Sequence, residues 1–327
     1  MSLLEVRDLV VELPATGRRG SRRAAVRPVD GVSFSVAAGE AVGLVGESGC
    51  GKSTLARAVL GLVPVSGGTV RLDSDELTRL SPAALRKRRA RMQLVFQDPL
   101  AALDPRMTVG EIVAEPLTVH RPELSRAERS ARVAAMLERV GLAATVMNRY
   151  PHQFSGGQCQ RIGIARALVL KPDLVICDEP VSALDLSVRA QILALLSELR
   201  QALGLSLIFI AHDLGAVRQL CQRVLVMYAG RLVECAETER LFMAPSHPYT
   251  RALLSASPPP DPARARAIRP LPGEPPSLMD PPSGCRFRTR CPLAVAACAA
   301  ERPALRPLDG TQVACLRAEE VTTRVAL

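Results

Sequence analysis

The chain has 327 residues, 48% of them apolar, and 42 Lys and Arg against 32 Asp and Glu give it a net charge of +10. That length and composition support a sizeable core in two or three domains or subdomains and exclude wholesale disorder. No apolar run approaches the roughly 20 residues of a membrane span, no charged-then-apolar leader opens the chain, and nine scattered cysteines do not form a secreted disulfide framework, so a cytosolic protein is expected. The basic excess gathers at Arg86-Lys87-Arg88-Arg89-Ala90-Arg91 and around Arg18, Arg19, Arg22 and Arg23. With nine aromatics and no Trp, these runs lack interleaved stacking platforms, which favours a solvated or lipid-facing surface over nucleic acid.

Residues 2–13 predict an opening strand, and a polar loop follows from Pro14 to Arg23. Val32-Ser33-Phe34-Ser35-Val36 alternates, then Ala38-Gly39-Glu40 turns the chain into the buried strand Ala41-Val42-Gly43-Leu44-Val45. Next comes Gly46-Glu47-Ser48-Gly49-Cys50-Gly51-Lys52-Ser53-Thr54, and after it the helical run Leu55 to Leu60. A strand, a glycine-rich loop ending in Lys-Ser and a helix together form a phosphate cradle. The glycines let backbone N–H groups turn inward on β- and γ-phosphates, the helix N-terminus adds partial positive charge, and Lys52 adds a full one. Ser53 is placed to ligate Mg²⁺.

Val70-Arg71-Leu72 and Met92-Gln93-Leu94-Val95-Phe96 supply further strands, the second ending at Gln97. From about 100 to 170 the pattern is helical: Ser125 and Glu128 have capping-box spacing, and Val133, Met136, Leu137 and Val140 recur until Gly141 stops them. Ser155-Gly156-Gly157-Gln158 stands at a helix start, a second candidate anion site. The apolar strand Leu174-Val175-Ile176-Cys177 delivers Asp178-Glu179, the Walker B pattern, with Asp178 suited to Mg²⁺ and Glu179 to polarising a water. Asp185 leads into a helix with Val188, Ile192, Leu195, Leu196, Leu199 and Leu203 on one face, closed by Gly204. Leu207 to Ala211 forms the next buried strand and presents His212 at its C-terminal end, where open α/β sheets place their ligands and where a γ-phosphate sensor would stand.

In this order the segments resemble the ATP-binding cassette of ABC transporters, continuously from about residue 3 to 255. The resemblance implies an α/β P-loop NTPase with a β-rich N-terminal subdomain, a RecA-like core and a helical subdomain over about 100–170. It assigns Gly46 to Thr54 to the Walker A loop and Gln97 to the Q-loop, where it would also approach Mg²⁺. Ser155, Gly156, Gly157 and Gln158 become the signature, Asp185 the D-loop and His212 the switch histidine. Such cassettes pair head to tail, so that one signature closes over ATP held by the other. Two departures stand out. No aromatic precedes Phe34, so Leu13 is expected to contact adenine without a π face, and Cys159 stands after the signature where many relatives carry Arg.

More narrowly, Phe96-Gln97-Asp98-Pro99, Leu103 to Gly110, Tyr150-Pro151-His152 and His247-Pro248-Tyr249-Thr250 are similar to the ATP-binding subunits of oligopeptide and dipeptide importers, and to the second of their two unlike ATPases. This implies a second ABC ATPase as heterodimer partner, two transmembrane permease subunits, an extracytoplasmic substrate-binding protein and a place at the cytoplasmic face of the inner membrane, with no nucleic acid. Nickel, sugars or opines are alternative cargoes in the same branch. A DNA-repair or chromosome-type ABC ATPase is the competing class, and it would need a long coiled coil between Lys52 and Ser155, where only an ordinary helical segment fits.

Residues 256–284 are proline-rich and predict a linker, followed by an extension over 285–327 holding Cys285, Cys291, Cys298 and Cys315. Their spacing does not suit structural zinc. Four thiolates can hold a 4Fe–4S cluster, as the tail does in some of these importers, with Arg286, Arg288 and Arg290 offsetting its charge. Reduced thiols in a small satellite core are the main alternative, with zinc a minor third. Cys50, in the phosphate loop, is a point where oxidation would obstruct ATP.

Overall fold

The structure is a computed structural model describing residues 2–14, 25–256 and 273–323. The proline-rich stretch 257–272 and the basic loop 15–24 lie outside the described residues. Twelve strands run in chain order among the described residues: β1 (Ser2–Pro14), β2 (Ala25–Ala37), β3 (Ala41–Val45), β4 (Gly67–Leu72), β5 (Asp75–Glu76), β6 (Met92–Val95), β7 (Leu174–Asp178), β8 (Ser206–Ile210), β9 (Arg223–Tyr228), β10 (Arg231–Glu237), β11 (Arg306–Leu308) and β12 (Thr311–Val313). The chain divides into two compact units, one built from the described parts of 1–3, 36–41 and 79–210, the other from 4–35, 42–78 and 211–327.

The first unit contains a parallel set β6-β7-β8, with Met92 opposite Leu174 and Asp178 opposite Ile210. Every residue of β7 and β8 is buried, as unbroken apolar runs in parallel sheets require. Its helical part comprises the helices Val109–His120, Arg126–Arg139 and Gly156–Leu168, each opened by a reciprocal capping box: Thr108 with Glu111, Ser125 with Glu128, Ser155 with Gln158. Val133, Met136 and Leu137 are buried on the inner face of the second helix, as their spacing predicts. Gly141, at φ 77°, ends it: the Leu142 N–H returns to the Leu137 carbonyl and the Gly141 N–H to the Glu138 carbonyl, both at 2.9 Å. In helix Leu186–Leu203, Ile192, Leu195, Leu196 and Leu199 are buried, each worth about 2 kcal/mol, whereas Val188 and Leu203 are only half-buried.

The second unit holds an antiparallel sheet β2-β1-β4-β5 and a set ordered β11-β12-β10-β9-β3. The β9–β10 hairpin was not expected from the sequence. It turns through Ala229 and Gly230, both at positive φ (44° and 86°), and an Ala at the first of these positions replaces the Asn or Asp that marks such turns. The cysteine-bearing tail contributes β11 and β12, and β12 pairs with β10, Glu234 opposite Val313 and Ala236 opposite Thr311. Phe287 of the tail is 1% exposed and packs edge-on against Tyr228, with ring centroids 5.2 Å apart.

Candidate functional site

In the second unit, the buried strand β3 ends at Val45, just before Gly46, and the helix Lys52–Val59 begins after Gly51. Between them the loop needs left-handed backbone at Gly46 (φ 154°) and Gly51 (φ 111°). A Cβ at Gly46 would meet the Met227 carbonyl oxygen at 2.1 Å, and one at Gly51 the Pro28 carbonyl oxygen at 1.9 Å, so no other residue fits either place. No side chain caps the helix at Gly51, which leaves its first N–H groups for an anion. Lys52 is 5% exposed and donates to the carbonyls of Gly46 at 2.8 Å and Glu47 at 3.0 Å. Ser48 and Gly49 are exposed, while Ser53 and Thr54 are half-buried at the helix start.

Cys50 points inward, and burial pushes its thiol above the usual range despite Lys52 nearby. A thiol in that condition is a poor nucleophile, which weakens the expectation that it senses oxidants. His212 is exposed at the end of β8, next to Asp213, whose carboxylate accepts from the N–H groups of Gly215 (2.9 Å) and Ala216 (3.3 Å) and so caps the helix Leu214–Leu220. Leu13 is half-buried in β1.

In the first unit, Asp178 is 7% exposed at the end of β7, and Glu179 beyond it adopts φ 47°, a left-handed conformation unusual for a glutamate. Its backbone is fixed by an N–H bond to the Ile210 carbonyl at 3.0 Å and by the Ser182 hydroxyl donating to its carbonyl at 3.0 Å. The Gln97 amide, beyond β6, donates to Glu179 Oε2 at 2.9 Å. Two of the residues named from sequence, 82 positions apart, thus meet directly. The signature residues Ser155, Gly156 and Gln158 are exposed at the N-terminus of helix Gly156–Leu168, with Gly157 half-buried, and Asp185 is exposed ahead of helix Leu186–Leu203. Cys159 turns away from that surface: it is 0% exposed, with Sγ 3.6 Å from the Pro151 carbonyl.

Two contacts to the phosphate loop carry no local signal in the sequence. The Tyr249 hydroxyl accepts from the Glu47 N–H at 2.8 Å, and Arg290 of the tail pairs with the Glu47 carboxylate. The tail thiols of Cys285, Cys291 and Cys315 are raised, first by burial and then by one another and Cys298, Cys315 to about 11. All nine cysteines are free. Among the described residues no group of three or more His, Cys, Asp or Glu side chains is placed to hold a metal ion, so the tail as arranged does not fit a 4Fe–4S cluster.

Residues 29–182 match the family model described as ABC transporter, and 233–298 match that of the oligopeptide/dipeptide transporter C-terminal region. The oligopeptide transport ATP-binding protein OppF of Escherichia coli (strain K12) is 54% identical over 296 residues, covering 90% of this chain and 89% of that protein. OppF of Haemophilus influenzae is 49% identical over 321 residues, covering 96% and 97%. Among solved structures, the dimeric post-hydrolysis state of the ATP-binding cassette MJ0796 bound to ADP and Pi aligns with TM-score 0.64 and 28% identity, over 72% of this chain and 98% of that one. CbiO1 from Clostridium perfringens, part of the ABC transporter complex cbiONQ, aligns with TM-score 0.63 and 29% identity, over 74% and 90%. The phosphate loop, the acidic strand end and these similarities lead to one conclusion: the chain belongs to the ATP-binding cassette family of transporter ATPases, in its oligopeptide/dipeptide transporter branch.

Proposed function

We propose that the chain hydrolyses ATP to drive peptide uptake, as one of two unlike ATPases paired head to tail. The observation that carries this reading is the phosphate loop, in which an uncapped helix N-terminus adjoins a buried lysine that rests on the main-chain carbonyls of Gly46 and Glu47 and, more distantly, on the Cys50 thiol. When nucleotide enters, Lys52 exchanges those carbonyls for phosphate oxygens, and the N–H groups of Gly49 to Thr54 surround the β- and γ-phosphates. Ser53, Asp178 and Gln97 would hold Mg²⁺, which when bound neutralises charge on the phosphates. Glu179, held by Gln97, accepts a proton from the attacking water, and His212 contacts the γ-phosphate. Ser155, Gly156, Gln158 and Asp185, exposed at two helix starts, would close with the half-buried Gly157 over nucleotide held by the partner cassette.

Residues 1–255 are read as the cassette and 285–327 as its accessory tail. The partners would be two permease subunits and an extracytoplasmic binding protein, with this chain at the cytoplasmic membrane face. Among the described residues no helix is long and apolar enough to cross a membrane, consistent with a peripheral subunit. A 4Fe–4S cluster on Cys285, Cys291, Cys298 and Cys315 stays a proposal that rests on four thiols in one tail and would require them to rearrange, and no step is routed through it. Iron and sulfide analysis of anaerobically purified chain tests it, and the absence of both retires it. The functional reading is tested by purification from detergent-solubilised membranes with mass spectrometry. Permeases, a second cassette and a peptide-loaded binding protein would support it; soluble repair factors with nucleic acid and no membrane protein would replace it with the DNA-repair class.

A further inference from the structure

Glu47 is held at three points. Its N–H donates to the Tyr249 hydroxyl at 2.8 Å, and its carbonyl accepts from Lys52 Nζ at 3.0 Å. Its carboxylate takes both arms of the Arg290 guanidinium, Nη1 to Oε2 at 2.6 Å and Nη2 to Oε1 at 3.0 Å. Arg290 lies in the cysteine-bearing tail, 243 residues along the chain, one position before Cys291. Its side chain is 5% exposed and that of Glu47 24%. Nη1 also reaches the Tyr228 hydroxyl at 3.3 Å, and the guanidinium lies 6.0 Å from the centre of that ring. Tyr228, Tyr249 and Phe287 form a mutually packed aromatic group beneath this pair, with centroids 4.6 to 5.4 Å apart.

A two-pronged guanidinium–carboxylate bond with its guanidinium buried fixes orientation as well as distance. It acts here on a loop with positive φ at Gly46, Gly49 and Gly51, whose intrinsic freedom opposes ordering around a ligand. Arg290 also compensates a carboxylate placed directly beside a cradle for polyanionic phosphates, where an uncompensated negative charge would repel the ligand. Anchored by Arg290 and Tyr249, the Glu47 main chain need not follow Lys52 when that side chain swings to phosphate.

We infer that Arg290 is a positioning residue for nucleotide binding: through Glu47, the tail holds the phosphate loop in its receptive shape. This rests on the reading of Gly46 to Thr54 as an ATP cradle. The direct test is equilibrium binding of a fluorescent ATP analogue to the full chain, with melting temperature recorded alongside. Arg290→Met should weaken binding about tenfold, and Arg290→Lys, which keeps the charge but loses the fork, about threefold. Adding Glu47→Gln to Arg290→Met removes the stranded carboxylate and should recover part of the affinity, a readout that tail packing alone would not move. Affinity within error of wild type for Arg290→Lys, or no recovery in the double variant, overturns the inference, and the lysine variant carries the test if the methionine variant does not fold. A wild-type chain that fails to bind the analogue would instead overturn the cradle reading beneath it.

Discussion

Glu179 combines a left-handed backbone with a side chain tethered to Gln97, and both features aim a carboxylate beyond the strand end. Glu179→Gln should bind ATP yet lose at least about 100-fold in turnover, whereas Lys52→Ala should fail in binding itself; nucleotide binding and phosphate release separate the two. Retained turnover in Glu179→Gln would remove it from the reaction. Cys50 gives a prediction of the opposite sign. Because it is buried and its thiol is raised, alkylation at mildly alkaline pH should modify it only after denaturation, and mild peroxide should leave ATP binding unchanged. Peptide mass spectrometry before and after unfolding checks this, and rapid labelling of the native chain would contradict it. The placement of Lys52 and Ser53 at a helix start and of Asp178 and Glu179 at a strand end was legible in the sequence because short spacing and an apolar strand dictate it. Tyr249 and Arg290 were not, since their partner Glu47 stands 202 and 243 residues away and no local pattern records such a pairing.

At the scale of elements, the signature helix and the helix after the D-loop are in close contact. A Cβ at Gly157 would stand 2.4 Å from Val188 Cγ1, so this glycine serves packing as well as exposing the helix start. Gly157→Ala should cost roughly 1–3 kcal/mol, and Val188→Ala in the same background should restore part of it. Thermal melts of the two single variants and the double variant measure this, and additive losses would show that the contact is not the cause. The three capping boxes and the Gly141 stop illustrate what sequence conveys well, because both partners lie within one turn of helix. The pairing of β12 with β10 illustrates the reverse: three-residue strands carry little periodicity, and their register comes from the partner strand.

Across the whole molecule, the tail's contribution has a pH signature. His247 is buried against Phe287, its Nδ1 accepts from the Tyr249 N–H at 3.0 Å, and it also hydrogen-bonds to the Ala314 backbone. Burial holds its pKa down to about 3. An unfolded chain takes up this proton near pH 6.5 while the folded chain resists until about 3, so stability is full above pH 6.5 and falls as pH drops between those values. The slope is on the order of 1 kcal/mol per pH unit, and His247→Asn, which keeps an acceptor for the Tyr249 N–H, should flatten it. Denaturant titrations at pH 7, 6 and 5 read it directly, and equal slopes in both proteins would assign the acid sensitivity elsewhere. Uptake of a labelled peptide by membrane vesicles containing the assembled transporter reads out whether ATP hydrolysis by this chain powers peptide transport. Uptake should require ATP and be abolished by Glu179→Gln, and undiminished uptake by that variant would show that hydrolysis at this residue does not drive transport.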